Sequence, residues 1–524
     1  MFAELNSLLR LPVRMAAASR VRSFHNRDPL GAQRAMLPWL ISRATATVFG
    51  QQHGFPDLVG LSPERLYRQY CRQVPIRTYR QFWDRYFGPC LQSGPDGKKL
   101  ELRDLTWPGL IPWLCETSGT TAPTKYIPFS TDMFAANRRA ALDMMACYLD
   151  AAPASQLIGG SILYMAGSTR LTTMGNGVQS GDMSAITLAQ RPVWLNPFVE
   201  PKEPLSSAPW EKRLEGMTRL LLENHRIKVI SGVPPWILLL LKQVAERCGK
   251  PLAEALPNLE LLIHGGTSLA PYRDEFSSLF GEQAPAFLEL LPSSEAFIGF
   301  QVQGEQTMRL APFYGCFFEF VPMEALGDSG EPAADAVAVP LWEVVPGQRY
   351  AVILSTCAGL WRYHIGDTLR FLDTDQYRIE FTGRDKFLDR FEEKVTQGEV
   401  EAAVAAANAQ LGLTVREFMV GPDISARRHC WVLACRSRRG SAALAAEFLD
   451  NSLMESNADY AAFRSQGRIH APEVLLADEG LIYRWSKEAR GKLGGQSKIP
   501  HIDPTLTGEL VADLRTSIQQ YNGP

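Results

Sequence analysis

Residues 116–128 read ETSGTTAPTKYIP, with five small or hydroxyl-bearing residues, Thr117, Ser118, Gly119, Thr120 and Thr121, ahead of Lys125. Small side chains let backbone amides approach phosphate oxygens, hydroxyls donate further hydrogen bonds, and a lysine adds a point charge. The segment can therefore wrap a phosphate, although no Gly-Lys-Ser/Thr closes it as in a Walker loop. The alternative is a Ser/Thr/Gly surface loop beside a solvated lysine.

Three further segments bear on that choice, because a nucleotide needs its metal, ribose and phosphates held by separate elements. In LLPSSE, residues 290–295, an apolar strand delivers Glu295. A carboxylate there could bind Mg²⁺ bridging phosphate oxygens, or cap a following helix in a Ser-x-x-Glu-like pattern. In GLWRYHIGD, residues 359–367, an apolar strand ends in Gly-Asp. Asp367 can accept both ribose hydroxyls, while Gly-Asp by itself is a common turn. In FTGRDKFLDRFEEKVTQGEVE, residues 381–401, Arg384 is a candidate for ribose or phosphate, and Lys386 stands where the texture of the chain changes.

The elements that must hold these groups follow from that texture. Residues 30–90 read as helical, with turn signals at 54–57 and 94–97. From about 107 to 385, short β-branched or aromatic runs at 161–165, 228–230, 261–264 and 287–291 alternate with helical stretches such as 210–224. This alternation predicts an α/β domain whose sheet is covered by helices, with a helix beginning near Thr131. Residues 313–321 and 349–355 read as strands joined by an acidic, Gly/Pro/Ala-rich loop, an antiparallel addition to that domain. Beyond the polar turn at 381–386, a helix at 398–409, strands at 416–421 and 430–435 and a helix at 441–455 predict a smaller α+β domain. The predicted domains are 1–385 and 386–524.

Composition narrows the partners. The 524 residues are 46% hydrophobic and 21% charged, which is globular usage and excludes wholesale disorder. Lys and Arg number 54 against 56 Asp and Glu, so no long-range field favours nucleic acid or an anionic membrane. The longest apolar run, 236–241, falls far short of the roughly 20 residues of a membrane helix. Nine cysteines without a Cys-x-x-Cys pair and eight scattered histidines predict reduced, cytoplasmic thiols and no protein-built zinc site. The first 28 residues read as an amphipathic helix with Leu5, Leu8 and Leu9 on one face, broken at Pro12 and packed on the main body. Their Arg, Ser and Ala content and near absence of acids also fit a transit peptide.

Taken in order, TSGTT with Lys125, HGGTSLAP, SSE, Tyr-x-x-Gly-Asp and Gly-Arg-x-Lys resemble the adenylate-forming ligases. The Thr-Ser-Gly-Thr-Thr loop with Lys-x-x-Pro, the Ser-Ser-Glu, the Gly-Leu-x-Arg-Tyr-x-x-Gly-Asp strand and a late Gln-x-Lys-x-Pro at 496–500 are similar to the Gretchen Hagen acyl acid amido synthetases, over residues 40–505. The resemblance implies a large ATP- and acyl-binding domain with a mobile C-terminal cap. It implies that a carboxylic acid and ATP, with Mg²⁺ on Glu295, give an acyl-adenylate and pyrophosphate, and that an amine, an amino acid, then attacks the carbonyl. Ser118 to Thr121, Lys125, Ser294 and Arg384 would contact the nucleotide, Asp367 the ribose, and Lys386 would be the hinge. Lys498 looks like the lysine that reaches into the cleft for adenylation, with Lys492 as its competitor. Sister branches pass the acyl group to coenzyme A or a carrier thiol, and a relative that binds nucleotide without turnover is the other reading.

Against that pattern, Leu291 replaces a tyrosine that covers adenine, Ala122 replaces a glycine, and His364 and His501 stand where arginine is usual. The acyl pocket has candidates at the ends of predicted strands: Tyr164 and Met165, Val233 to Trp236, and His264, Gly265 and their successors to Thr267. Each is also readable as an ordinary core or turn residue. Their apolar and aromatic content points to an aryl or medium alkyl carboxylate. Lys498→Ala is expected to suppress ATP–pyrophosphate exchange while Lys492→Ala leaves it intact; the reverse result would move the adenylation lysine to 492.

Overall fold

The computed structural model describes residues 2–522 apart from 95–96, 101, 118–123, 167–169, 203–209, 267–268, 270–271, 328–329, 334, 385–386, 389, 392, 394, 437–440, 491–498 and 504–507. Runs such as Leu261-Leu-Ile, apolar on successive residues, are buried on both faces and build a parallel sheet. Ser161–Tyr164, Ile227–Gly232, Leu261–Gly265 and Ala286–Pro292 lie side by side in parallel. Their carboxyl ends therefore share one edge. Val229, Leu261, Ile263 and Leu288 face one apolar layer. Ile230, Leu262 and Phe287 face a second, formed with the helices Trp210–Glu223, Pro234–Cys248 and Arg273–Phe280.

Ala286–Pro292 is also antiparallel to Phe297–Gln301, and from there the same sheet continues through Met308–Leu310, Arg378–Arg384, Tyr363–Phe371, Arg349–Thr356 and Cys316–Pro322. The antiparallel addition expected from sequence is thus an extension of the main sheet. A second sheet pairs Trp113–Thr117 with Lys125–Phe129 and with Val178–Gly181.

The N-terminal helix, Phe2–His25, does not break at Pro12 but runs through it. Tertiary contacts offset the lost hydrogen bond. Arg14 donates to the Leu149 carbonyl (3.3 Å) in the last turn of the helix Thr131–Ala151 and to the Ser155 carbonyl (2.8 Å) just beyond it, where Arg10 also donates (3.0 Å). Arg20 and Arg27 pair with the fully buried Asp143 of that helix, which also receives the Tyr314 hydroxyl at 2.6 Å.

In the smaller C-terminal domain, Val415–Asp423, Arg428–Cys435 and Glu473–Asp478 form a three-stranded sheet between helices. Gln397–Leu411 and Ala442–Ser456 cover one face, and Leu481–Arg490 and Glu509–Asn522 the other. The first of these helices starts where the sequence Thr396-Gln-Gly-Glu399 forms a capping box. His501 lies buried in this domain, its ring stacked on Phe418 at 4.1 Å, with Glu401 at 2.8 Å and Glu417 at 3.6 Å. Burial opposes the charged ring, but the two carboxylates outweigh it and raise its pKa to about 10.

A pKa raised on folding stabilises the fold fully below the ordinary histidine value of 6.5, and that stabilisation is lost as the pH rises through about 10. The gap in melting temperature between the native chain and His501→Gln should therefore shrink from about pH 6 to about pH 10. A gap that stays constant over that range would mean the ring is not charged.

Candidate active site

The loop of small and hydroxyl residues closes a β-hairpin. Thr117 pairs with Lys125 across Trp113–Thr117 and Lys125–Phe129, so residues 118–124 leave and return at neighbouring points. Ser118, Gly119, Thr120, Thr121 and Ala122 lie outside the described residues. The hairpin is braced by an aromatic stack: Trp83 lies on Tyr79 and on Tyr126, and the Tyr126 amide donates to the Tyr79 hydroxyl at 2.9 Å. The Lys125 ammonium sits 5.4 Å over the Tyr79 ring.

Glu295 is held by a tight turn. The Ser293 amide donates to the Ala296 carbonyl at 2.9 Å, and the Ala296 amide to Ser293 Oγ at 3.0 Å. The strand Phe297–Gln301 follows at once, so the helix-capping reading of Glu295 does not hold. Ser294 is half-buried in the same turn and Glu295 is buried. The Glu295 charge is felt at Cys115, three residues before the first loop residue. Burial first, then Glu295 and Asp182, push that thiol well above its usual pKa. Asp182 arrives because Cys115 pairs with Gly181 in the parallel strand Val178–Gly181. The same carboxylate adds to the burial that raises the Tyr164 phenol to about 12, and it partly offsets the burial that lowers Arg213. Arg213 donates to the Ala166 carbonyl at 2.5 Å.

Asp367 is buried in Tyr363–Phe371, opposite Arg384 in Arg378–Arg384. Three residues earlier, His364 is buried, and burial together with the neighbouring Lys125 charge lowers its pKa to about 4. It is therefore neutral near pH 7. The strand that carries Asp367 and the hairpin are both tied to residues 77–79: the His364 amide donates to the Arg77 carbonyl at 2.9 Å and the Tyr126 amide to the Tyr79 hydroxyl at 2.9 Å. Nothing is described for the Arg384 side chain, and Lys386, Lys492 and Lys498 lie outside the described residues.

The sheet separates the acyl-pocket candidates. By strand alternation Tyr164 and Gly265 project toward the layer that holds Ile263 and Leu288. Gly265 packs so tightly that a Cβ would stand 2.2 Å from the Leu290 carbonyl oxygen. Val233, Trp236 and Met165 are core residues of the opposite, helix-covered layer. His264 is on that side too, edge-on to Phe287 at 6.2 Å, and burial with the Arg273 charge lowers its pKa to about 4. Leu291 is buried against the first layer.

Sequence reasoning missed Asp182 and Arg213. Asp182 had a signal of the same kind as Asp367, a Gly-Asp ending a short strand, Gly181-Asp182. Arg213 lies in an amphipathic helix and carried none. Among the described residues no group of three or more His, Cys, Asp or Glu side chains gathers to hold a metal. Glu295 and Asp182, which both act on Cys115, are of the donor type that suits Mg²⁺, an ion bound through one or two carboxylates plus substrate phosphates and not in an all-protein cage.

Three family models match the chain: the GH3 family N-terminal domain at residues 23–256, the central domain at 310–384 and the C-terminal domain at 398–504. An indole-3-acetic acid-amido synthetase of Arabidopsis thaliana is 25% identical over 42% of this chain and 40% of its own length. A jasmonoyl–L-amino acid synthetase of Nicotiana attenuata is 26% identical over 48% of this chain and 45% of its own. The chain spans about half the length of the curated relatives it matches. The solved structure of an acyl acid amido synthetase in complex with 2,4-DB superposes with a TM-score of 0.75 at 18% identity, covering 97% of this chain and 96% of that one. A 2-hydroxyisobutyryl-CoA ligase in complex with its acyl-AMP gives 0.55 at 13% identity over 92% and 91%. These superpositions show a shared fold.

Gly265→Ala should force Leu261–Gly265 away from Ala286–Pro292 and lower the melting temperature. Unchanged melting would mean that the two strands tolerate a side chain there.

Proposed function

Because the chain belongs to the GH3 family, we propose that it activates a carboxylic acid with ATP as acyl-AMP, releases pyrophosphate, and passes the acyl group to an amine, an amino acid, to form an amide. The observation that carries this reading is the hairpin that ends at Lys125, tied through Tyr79 and Arg77 to the strand of His364 and Asp367, with Glu295 and Asp182 both acting on Cys115 in its first strand. The relatives' names, an indole-3-acetic acid-amido synthetase and a jasmonoyl–L-amino acid synthetase, support an amino acid as the acceptor.

Attack of a carboxylate on the α-phosphate brings two anions together, so positive charge and hydrogen-bond donors must stand ready. Lys125 supplies charge at the loop, and the amides and hydroxyls of Ser118 to Thr121 supply donors, with Ser294 and Arg384 adding contacts. Asp367 orients the ribose, and Leu291 offers an apolar surface to the base. Magnesium held by Glu295 would neutralise phosphate oxygens when bound. The sheet face with Tyr164 and Gly265 takes the acyl group, an aryl or medium alkyl chain. Lys498 enters with the domain beyond residue 385, which turns about Lys386. All nine cysteines are unpaired, which supports a reducing, cytoplasmic setting. Among the described residues no helix is long and apolar enough to cross a membrane.

The test is to incubate the protein with ATP, Mg²⁺, a panel of aryl and alkyl carboxylates including indole-3-acetate, and pooled amino acids, and to identify products by mass. AMP, pyrophosphate and an amide are expected. A thioester formed only with coenzyme A would transfer the reading to the thiol-acylating ligases, and ADP with phosphate would overturn adenylation. Glu295→Gln should keep the fold and slow adenylation tenfold or more, on the order of 1.4 kcal/mol. An unaffected rate would remove Glu295 from the metal site.

A further inference from the structure

An aromatic ring lies beneath the charge that ends the hairpin. The sequence Thr78-Tyr-Arg-Gln81 opens a helical turn as a capping box, the Thr78 amide donating to the Gln81 side chain at 3.0 Å. That turn sets Tyr79 and Trp83, four residues apart, on one face, and their rings stack with centroids 5.9 Å apart and planes 24° from parallel. Trp83 also stacks on Tyr126 at 5.7 Å and leans on Phe87 at 6.2 Å. The turn is tied in its own right to the strand of His364 and Asp367: Phe82 is edge-on to Tyr363 at 6.2 Å, and the Arg77 carbonyl accepts the His364 amide at 2.9 Å.

Lys125–Phe129 is the edge strand of its sheet, so the backbone groups on its outer side have no strand to pair with. The Tyr79 hydroxyl takes one of them, the Tyr126 amide, at 2.9 Å. The ring of the same tyrosine has the Lys125 ammonium over its face, 5.4 Å from the centroid. Burial raises the Tyr79 phenol to about 12, so the ring is neutral near pH 7. A neutral ring holds a cation through its quadrupole and leaves the full charge free to attract an anion, whereas a carboxylate in its place would cancel that charge. Among the described residues no carboxylate pairs with Lys125. Glu116, in the facing strand, is the register partner of Tyr126 and accepts the Ser180 hydroxyl at 2.7 Å.

We propose that Tyr79 and Trp83 are positioning residues for nucleotide binding: the Tyr79 ring seats the Lys125 ammonium, Trp83 clamps that ring toward Tyr126, and the seated charge receives the phosphates of ATP. The identity of the anion rests on the adenylation reading above, while the seat itself depends only on the two rings and the hairpin. The parts are separable by substitution. Tyr79→Leu removes the ring, Trp83→Leu removes the clamp and leaves the ring, and Tyr79→Phe restores the ring without the hydroxyl. The hydroxyl secures the edge strand, so its loss is read in the melting temperature.

The experiment compares the full native chain with these three variants. Calorimetry gives the affinity for ATP with Mg²⁺ and for adenosine, and peptide mass gives the rate at which an amine-acylating reagent labels Lys125. Neither readout requires turnover. Tyr79→Leu should weaken ATP about fivefold or more, leave adenosine within about twofold of native, and label Lys125 about threefold faster or more. Trp83→Leu should shift both readouts in the same directions, and Tyr79→Phe should bring them back to within about twofold of native. Equal weakening of ATP and adenosine would make Tyr79 a structural residue only, and that result, or equal labelling in all four chains, would overturn the assignment. If the expected losses in ATP affinity appear but no carboxylate yields acyl-AMP, the seat stands and the adenylation reading fails. If the native chain binds no ATP, both fail.

Discussion

Glu319, without solvent exposure, accepts the Nε of Arg362 on both carboxylate oxygens at 3.1 Å, and the strand carrying His364 and Asp367 starts from that pair. Arg362 also donates to the carbonyls of Cys71 (3.2 Å) and Val74 (2.9 Å), while the Tyr67 hydroxyl shares Glu319 at 3.1 Å. A buried pair of this kind costs much desolvation, and removing one partner strands the other, a loss of about 3–5 kcal/mol. Arg362 has φ +44°, a left-handed backbone that a non-glycine residue keeps only where its surroundings hold it. The amide of Arg77 donates to the Arg362 carbonyl and that of His364 to the Arg77 carbonyl, so the N-terminal helical layer and the strand of His364 and Asp367 are set by one arrangement.

The position of the site follows from how the two halves of the sheet are joined. Ala286–Pro292 is the last parallel strand and at the same time the first partner of an antiparallel run. The turn between it and Phe297–Gln301 lies at the carboxyl edge of the parallel strands, where open α/β sheets gather ligands. That turn is the one that buries Glu295. In the second sheet, the pairing of Cys115 with Gly181 sets Asp182 beside the hairpin strand. Asp182 is thus placed by strand pairing, and Glu295 by the turn that follows the last parallel strand.

Much of this was legible in the sequence, and the reasons are physical. The strands at 227–232 and 261–265 were readable because residues buried on both faces leave continuous apolar runs. The helices Gln397–Leu411 and Ala442–Ser456 were readable, as 398–409 and 441–455, from the alternation of elements beyond residue 386. The passage of the first helix through Pro12 was not, because it depends on carbonyls of Leu149 and Ser155 that lie more than a hundred residues away. Of the site, the loop, the turn and the Gly-Asp strand carried local signals. Asp182 and Arg213 matter through register, and Tyr272 and Glu417 meet across 145 residues of chain, so a local pattern had no means of pairing them. His501 was legible as a departure from arginine, while the pair of glutamates that keeps it cationic was not.

The position of Cys115 has a chemical consequence. An acyl-adenylate is a mixed anhydride, and a thiolate within reach would be acylated by it, leaving the protein modified on its own side chain. The reactive form of cysteine is the thiolate. Burial together with Glu295 and Asp182 keeps Cys115 protonated. Because burial is the largest cause, no reactive thiolate stands on the strand that leads into the hairpin loop.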